Sequence, residues 1–520
     1  MEIERISQQR TGKRQFAINM LSGISEFVLN LCVAFFLTPF IVGKLGTAAY
    51  GYIGLSNNII GYTGLLTIAV NSMAGRFIAI KDHEKAYGEA NGYISTIFYS
   101  NLILSAVIFI AVIITTFFLP EFINIPDNMV RDVQALFILL GLSSVLRLIT
   151  GVISIGSFIR NRLDIANTRN VIGCFIRVTL LLLLFGFLVP HLWYVGMTVI
   201  IMDIYVISSN YYFYRVLTPE LHIRRKYFEF KYLKEVTAAG AWNIVSHLST
   251  ILSSGFDLLL ANIFIGARAM GVLSITQIIP VMISGFFSMI SGNFAPELTR
   301  LYAIKDYEGL KNELLRAVRL SGFLSCIPLS LLFAYGDIFY QLWLPTEDAT
   351  LLYQLSCLGS LSLIFAIPQD PLWLIFTITN RLKKLSLNLL FYSIATFITV
   401  LLSMVLFHDN VTRLFVLASV RTFYGIIRVT TFLPDYGARC IGMDRLTFYP
   451  MILRNLLNIG IVAMVSIGFK IAVLDMTWVD LMLGCVFTVV VGIGASMIIL
   501  LTDSDRKYIL KCIKLQRYLS

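Results

Sequence analysis

Fourteen apolar segments, each near the length of a membrane crossing, limit this chain of 520 residues more than any other feature. A spanning helix needs about 20 predominantly apolar residues. The segments run over 16–43, 49–80, 92–119, 132–160, 168–188, 190–214, 238–264, 271–299, 316–336, 350–379, 384–407, 410–433, 451–474 and 478–502. The stretch 168–214 is too long for one crossing and divides at Val189-Pro190-His191. Only 14% of residues are charged, against about 25% in soluble domains, and mean hydropathy is +0.80. The start is polar and basic, and the first apolar run is too long for a cleaved signal peptide. The seven cysteines lie scattered without a CxxC pair, which excludes a disulfide framework and a cysteine zinc site. The chain reads as an all-α polytopic membrane protein.

Lysine and arginine set its direction. Alternate loops collect them: Arg5, Arg10, Lys13 and Arg14 at the start, Arg215 to Lys234, then Arg381, Lys383 and Lys384, and Arg506 to Arg517. The opposite loops hold only Lys44, Arg131, Arg268 and Arg413. The positive-inside rule therefore expects both termini in the cytoplasm. This bias also accounts for the formal charge of +11, so nucleic acid is not expected as a partner. None of the opposite loops is long enough to house the catalytic domain that membrane glycosyltransferases use.

Three short matches suggest an internal repeat. Ala17, Asn19, Ser22 and Ser25 return as Ala241, Asn243, Ser246 and Ser249, 224 residues later. Gly46-x-x-Ala49-x-Gly51 returns as Gly266-x-x-Ala269-x-Gly271 after 220, and Ala79-Ile80-Lys81-Asp82-x-Glu84 as Ala303-Ile304-Lys305-Asp306-x-Glu308 after 224. Six spans separate the copies, and an even number preserves direction. The expectation is two parallel six-helix lobes, 1–215 and 236–435, joined by the loop 216–235, with two extra helices and a basic tail in 436–520. Such architectures bind substrate where lobes meet and work by rocking.

Residues three and four apart share a helix face. Asn19, Ser22, Glu26 and Asn30 form such a stripe in the first span, and Asn243, His247, Thr250, Ser254 and Asp257 in the seventh. Either interhelical hydrogen bonding or a wetted cavity accounts for them; the acids favour a cavity, because a lipid-facing acid costs about 2.5–3.5 kcal/mol. Glu26, Arg147, Arg177, Asp203 and Arg421 lie about 14–20 Å deep from the cytoplasmic ends of their spans, and Arg428 follows Arg421 on nearly the same face. Arg177 and Asp203, at equal depth on adjacent spans, are candidates for mutual neutralisation, which leaves an arginine excess. Arg76, Arg319 and Lys470 lie near span ends, where long side chains snorkel. Asp257 and Asp370 are candidates for ion coupling or helix packing.

A guanidinium is permanently charged, and its planar fork suits phosphate oxygens. The arginine cluster therefore points to an anionic, phosphorylated substrate. No nucleotide-binding GxxxxGK[ST] loop, nucleophile elbow or HExxH motif is present, and the five histidines are dispersed, so neither an enzyme nor a cofactor or metal is expected.

Several stretches carry a family resemblance: the basic start into Phe16-Ala17-x-Asn19-x-x-Ser22, then Pro39-Phe40-Ile41-Val42-x-x-Leu45-Gly46-x-x-Ala49-Tyr50-Gly51, and Asn71-Ser72 before Arg76-Phe77. The chain resembles, over residues 10–435, the polysaccharide-biosynthesis flippases (O-antigen type) of the multidrug/oligosaccharidyl-lipid/polysaccharide exporter superfamily. The resemblance implies a V-shaped pair of six-helix lobes in the bacterial inner membrane. It also implies translocation of polyprenyl-diphosphate-linked oligosaccharide by alternating access, for capsule, O-antigen or another surface polysaccharide. In the lipid II branch two extra spans help form a groove for the lipid tail; Glu26 stands here where that branch carries arginine. The substrate-binding candidates are Arg147, Arg177, Arg421, Arg428, Asn19 and Asn243; those for ion coupling or gating are Glu26, Asp203, Asp257 and Asp370. Partners are the lipid-linked glycan, the bilayer, a coupling proton or sodium ion, and polysaccharide-synthesis proteins. Two alternatives stand beside this reading: a multidrug/cation antiporter of the same superfamily, whose cavity would be dominated by acids, and a non-transporting scaffold, whose central arginines would be dispensable.

Overall fold

A computed structural model describes residues 12–473 and 477–506; Arg5, Arg10 and the tail from residue 507 on, Cys512 included, lie outside the described residues. No strand occurs among them. Twelve helices are long and apolar enough to cross a membrane, the longest Ala267–Ala303 and Tyr307–Trp343 at 37 residues each. The sixth expected span is the 25-residue helix Trp193–Leu217, whose polar run Ser208-Ser209-Asn210 dilutes its hydropathy. The second is three short helices, Thr47–Tyr62, Gly64–Asn71 and Ala74–His83. All fourteen expected segments are thus helical. Large apolar side chains such as Phe187 (83% exposed) and Ile471 (80%) face outward, as lipid solvent allows and water does not.

By contact the chain falls into two compact units, one ending at Val272 and the other starting at Leu273. In the first, Phe230–Thr250 of the seventh span packs on Gly64–Asn71 of the second. A π-helical turn, Ile251–Gly255, interrupts the seventh span just before Asp257; such turns displace a helix face locally. In the second unit the ninth span, Tyr307–Trp343, packs against both extra helices, Tyr449–Val473 and Trp478–Ile499. Buried polar pairs staple this group: Asn458 Nδ2 donates to Ser496 Oγ at 2.7 Å, and the hydroxyls of Ser466 and Thr488 are 2.8 Å apart. Two arginine and lysine expectations are corrected here. Arg319 does not snorkel but donates to Asp505 at 2.6 Å, and Lys470 donates to Asp337 at 2.6 Å, because an acid stands within reach of each.

The duplication is visible in the backbone. Helices starting at Thr47, Ala74, Tyr87, Val130 and Leu163 recur at Ala267, Ala295, Tyr307, Ala349 and Leu382, 219–221 residues on. Left-handed residues that end helices recur in the same register: Gly46 (φ 86) with Gly266 (φ 132), Lys85 (58) with Lys305 (59), and Asn161 (52) with Asn380 (54). This register corrects two of the three sequence matches. At 224 residues, Asp82 would correspond to Asp306; yet Asp82 is buried in the last turn of a helix and bound to Arg160 at 2.8 Å, whereas Asp306 caps the next helix, accepting from the Gly309 N–H at 2.9 Å. The Asn19–Asn243 match is out by about one helical turn. Only Gly46–Gly51 with Gly266–Gly271 lies in the structural register.

Candidate substrate-binding site

In the first unit a cavity of 730 Å³ opens among the second, third, fourth and seventh spans. Its polar lining comprises Asn57, Thr63, Thr67, Asn71, Ser144, Arg147, Ser154 and His247, and its apolar lining includes Ile108, Val145, Leu148 and Phe158. The breaks in the second span, at Thr63 and after Asn71, fall within the stretch of that span that lines the cavity. Asn71 is fixed there by a reciprocal pair of amide hydrogen bonds with the fully buried Asn101, at 3.0 and 2.9 Å. His247 lies against Gly64, where a Cβ would come within 2.9 Å of its Nε2; that nitrogen is buried without a hydrogen-bond partner.

Arg147 is the one expected binding residue that lines the cavity. Its Nε donates to Asp203 Oδ1 at 2.8 Å, and Ser143 Oγ donates to the other carboxylate oxygen at 2.5 Å. This corrects the expected pairing: the partner of Asp203 is Arg147, not Arg177. Ser143 and Arg147 are one helical turn apart, so the fourth span presents both to Asp203 on the sixth. Arg177 lies within electrostatic reach of Arg147, Asp203, Cys174 and Tyr50, and its Nε is buried without a hydrogen-bond partner.

The polar stripe of the first span is occupied by the fifth. Asn19 Nδ2 donates to the Asn161 backbone and side-chain oxygens, each at 3.0 Å, and Asn19 Oδ1 accepts from the Asp164 N–H at 3.0 Å. Asn170 Nδ2 donates to Glu26 Oε1 at 2.9 Å. Interhelical bonding thus accounts for Asn19 and Glu26, neither of which lines the cavity. Asn243 is half-buried one turn before His247 and does not line it either. Asp257 is buried behind the π-turn, whose Gly255 carbonyl accepts from Tyr62 Oη at 2.6 Å and Asn58 Nδ2 at 3.3 Å.

The remaining candidates belong to the second unit. Arg421 and Arg428 are electrostatic neighbours of each other, and Arg428 also of Tyr392; the Arg428 Nε is buried without a hydrogen-bond partner. Asp370 accepts from Ser288 Oγ at 3.3 Å. Among the described residues no group of three or more His, Cys, Asp or Glu is placed to hold a metal.

Sequence reasoning missed a close contact at the span ends away from the N terminus. The last glycines of the two GxxAxG copies meet: a Cβ on Gly51 would lie 2.8 Å from Gly271 Cα, and one on Gly271 2.1 Å from the Thr47 carbonyl oxygen. Beside them the Asn124 N–H donates to Asn262 Oδ1 at 2.7 Å, Asn124 Nδ2 to the Asn262 carbonyl at 2.7 Å, and Asn262 Nδ2 returns a bond at 3.1 Å. Tyr52 Oη donates to the Asn124 carbonyl. The duplicated glycines were the available signal.

The described residues thus form a multi-pass bundle of membrane-length helices with a cavity of 730 Å³ in the first unit. No family model matches the chain. It is 31% identical over 372 residues to the uncharacterized membrane protein EpsK of Bacillus subtilis (strain 168), covering 71% of this chain and 73% of that protein. The chain belongs to the same family as EpsK. Its fold is similar to that of the lipid II flippase MurJ in an inward closed conformation (TM-score 0.61, 14% identity, 93% of this chain and 98% of that one). It is also similar to an inward-facing multidrug resistance MATE family transporter (0.62, 14%, 82% and 94%). A third likeness is to a superfamily transporter from Pyrococcus furiosus described by the reverse polarity of its binding pocket (0.58, 15%, 82% and 95%).

Proposed function

We propose that this chain is a flippase moving polyprenyl-diphosphate-linked oligosaccharide across the bacterial cytoplasmic membrane for cell-surface polysaccharide, with both termini in the cytoplasm. The observation that carries the reading is the 730 Å³ cavity, which sets polar groups such as Asn57, Ser144, Arg147 and His247 in a mainly apolar lining between membrane helices. Ligand sites commonly measure about 300–1,000 Å³, which suits a sugar head group, while the polyprenyl tail stays in the bilayer. Exposing that cavity alternately to the two sides of the membrane would carry the head group across. Arg177 and Arg428, each with a buried Nε that has no hydrogen-bond partner, are the candidates for anionic groups. The antiporter reading is weakened by Asp203, whose two oxygens are engaged by Arg147 and Ser143 instead of being open to a cation.

The test is complementation of a host lacking this chain, with surface polysaccharide and membrane protein level measured together. Arg177→Gln and Arg428→Gln should each reduce export at unchanged protein level. The lysine variants should restore it only partly, since a point charge lacks the bidentate fork. Full export by both glutamine variants and by their double variant would return the scaffold reading to first place.

A further inference from the structure

Resting on the flippase reading, the lining of the first-unit cavity says which part of the substrate it takes. We infer that this cavity is a subsite for the neutral sugar residues of the lipid-linked substrate, and that the diphosphate is recognised outside it. Its permanent charge, Arg147, donates through Nε to Asp203 at 2.8 Å, so a phosphate entering here would share the guanidinium with a carboxylate. The hydroxyls point the same way. Thr63 Oγ1 donates to the Ile60 carbonyl at 2.6 Å, Thr67 Oγ1 to that of Gly64 at 3.2 Å, and Ser154 Oγ to that of Gly151 at 2.7 Å. A hydroxyl has one proton to give and two lone pairs to receive with. These three protons are held by their own helices, so each oxygen faces the cavity as an acceptor. Acceptors attract the O–H groups of a sugar and repel phosphate oxygens, which are acceptors too.

Asn57 and Ser144 complete the wall, and neither has a hydrogen-bond partner among the described residues. An amide and a free hydroxyl both donate and accept, matching the mixed donors and acceptors of a pyranose ring. Apolar Phe158 and Ile155 line another part of the same cavity and fit the C–H face that such a ring presents. A neutral, hydroxyl-dense ligand can donate to the three acceptor hydroxyls and exchange hydrogen bonds with Asn57 and Ser144, whereas an anion gains nothing from the acceptors.

The test compares two probes on the purified full chain in nanodiscs. One is undecaprenyl diphosphate, which has no sugar; the other is the diphosphate lipid that accumulates in a host deleted for this chain. The wild type should bind the sugar-bearing lipid about tenfold or more tightly than the sugar-free one, as one or two added hydrogen bonds provide. The Asn57→Leu/Ser144→Val double variant should bring that ratio close to one by weakening only the sugar-bearing probe. Asn57→Ser, which keeps a short hydrogen-bonding group, should retain part of it. Unfolding temperatures close to that of the wild type show that the variants fold. An unchanged ratio in the double variant, or equal weakening of both probes, overturns the sugar subsite while leaving the flippase reading in place. Failure of the wild type to bind either lipid would instead remove the flippase reading itself.

Discussion

Replacing Gly271 by alanine puts the added methyl carbon 2.1 Å from the Thr47 carbonyl oxygen and 2.6 Å from its carbon. Carbon atoms sit comfortably at about 3.5–4.0 Å, so the two helices have to separate by roughly 1 Å or more. No rotamer relieves this, because the atoms opposed are backbone. Overpacking of this kind costs about 1–3 kcal/mol, and in the alternating-access cycle proposed above a conformation with this contact open would escape that cost. The expected outcome is a shift of about 5–150-fold away from the closed glycine contact. Gly43→Ala is the control: it lies near the same end of the first span with nothing within 4 Å, and an alanine in a helix is favourable by about 1 kcal/mol over glycine. The assay is the labelling rate of Thr47→Cys, buried beside the contact, in a background lacking the native cysteines, with the unfolding temperature measured in parallel. Gly271→Ala should label faster and unfold at lower temperature; values equal to those of Gly43→Ala would refute the argument.

Three further outcomes are expected. Asp203→Asn takes away the carboxylate that Arg147 donates to and should cost about 1.5–3 kcal/mol; Asp203→Asn/Arg147→Gln should lose less than the sum of the single variants by denaturant titration, whereas Asp203→Asn/Arg177→Gln, electrostatic neighbours without a hydrogen bond, should fall short of the sum by less. Burial alone would raise the Asp505 carboxyl, but hydrogen bonds from Arg319 and Thr502 outweigh it and hold the group below its ordinary value; its contribution to stability is therefore complete above the ordinary aspartate range near about 3.9 and is lost as the pH falls through the lowered value, a loss that unfolding temperatures across acidic pH should show in the wild type and not in Asp505→Asn. Asn262→Ala removes the side-chain bonds to Asn124 at 2.7 and 3.1 Å and leaves the Asn124 N–H without its acceptor, for a loss of about 1–3 kcal/mol and faster labelling at Thr47→Cys.

The spans were legible because lipid demands long apolar runs, and composition reports those directly. Their interruptions were not. The second span breaks at Thr63 and after Asn71 without the proline that marks a helix end in sequence, whereas the eighth breaks at Gln277 and Asn293, each followed three residues later by a proline, Pro280 and Pro296. The second span's breaks fall within the stretch that lines the cavity, so which polar residues share a wall was out of sight. Asn71 was noticed as part of a family resemblance and His247 as part of a stripe, but neither observation gave the wall they share. The repeat was legible through its glycines, since Gly46 and Gly266 adopt a left-handed conformation that few residues accept. The matches at 224 residues lacked such a backbone reason, and the structure places their residues in different roles.

Charge pairing failed for a geometric reason. Counting residues from a span end gives depth, and Arg177, Asp203 and Arg147 share one depth. Which two meet depends on rotation about the helix axis, and a sequence carries that only through neighbours on the same face. Ser143 and Arg147 were such neighbours: a hydroxyl and a guanidinium one turn apart form a two-point cradle for a carboxylate, and Asp203 is held at both oxygens. The consequence reaches the functional experiment. Neutralising Arg147 strands a buried acid, so a loss of export there reports a broken pair as readily as a lost ligand. Arg428 is free of that ambiguity toward Asp203, because its electrostatic neighbours are Arg421 and Tyr392. An export defect in Arg428→Gln at unchanged protein level is therefore the cleaner measure of anion binding, and the sugar subsite around Arg147 is better read through Asn57 and Ser144 than through the arginine itself.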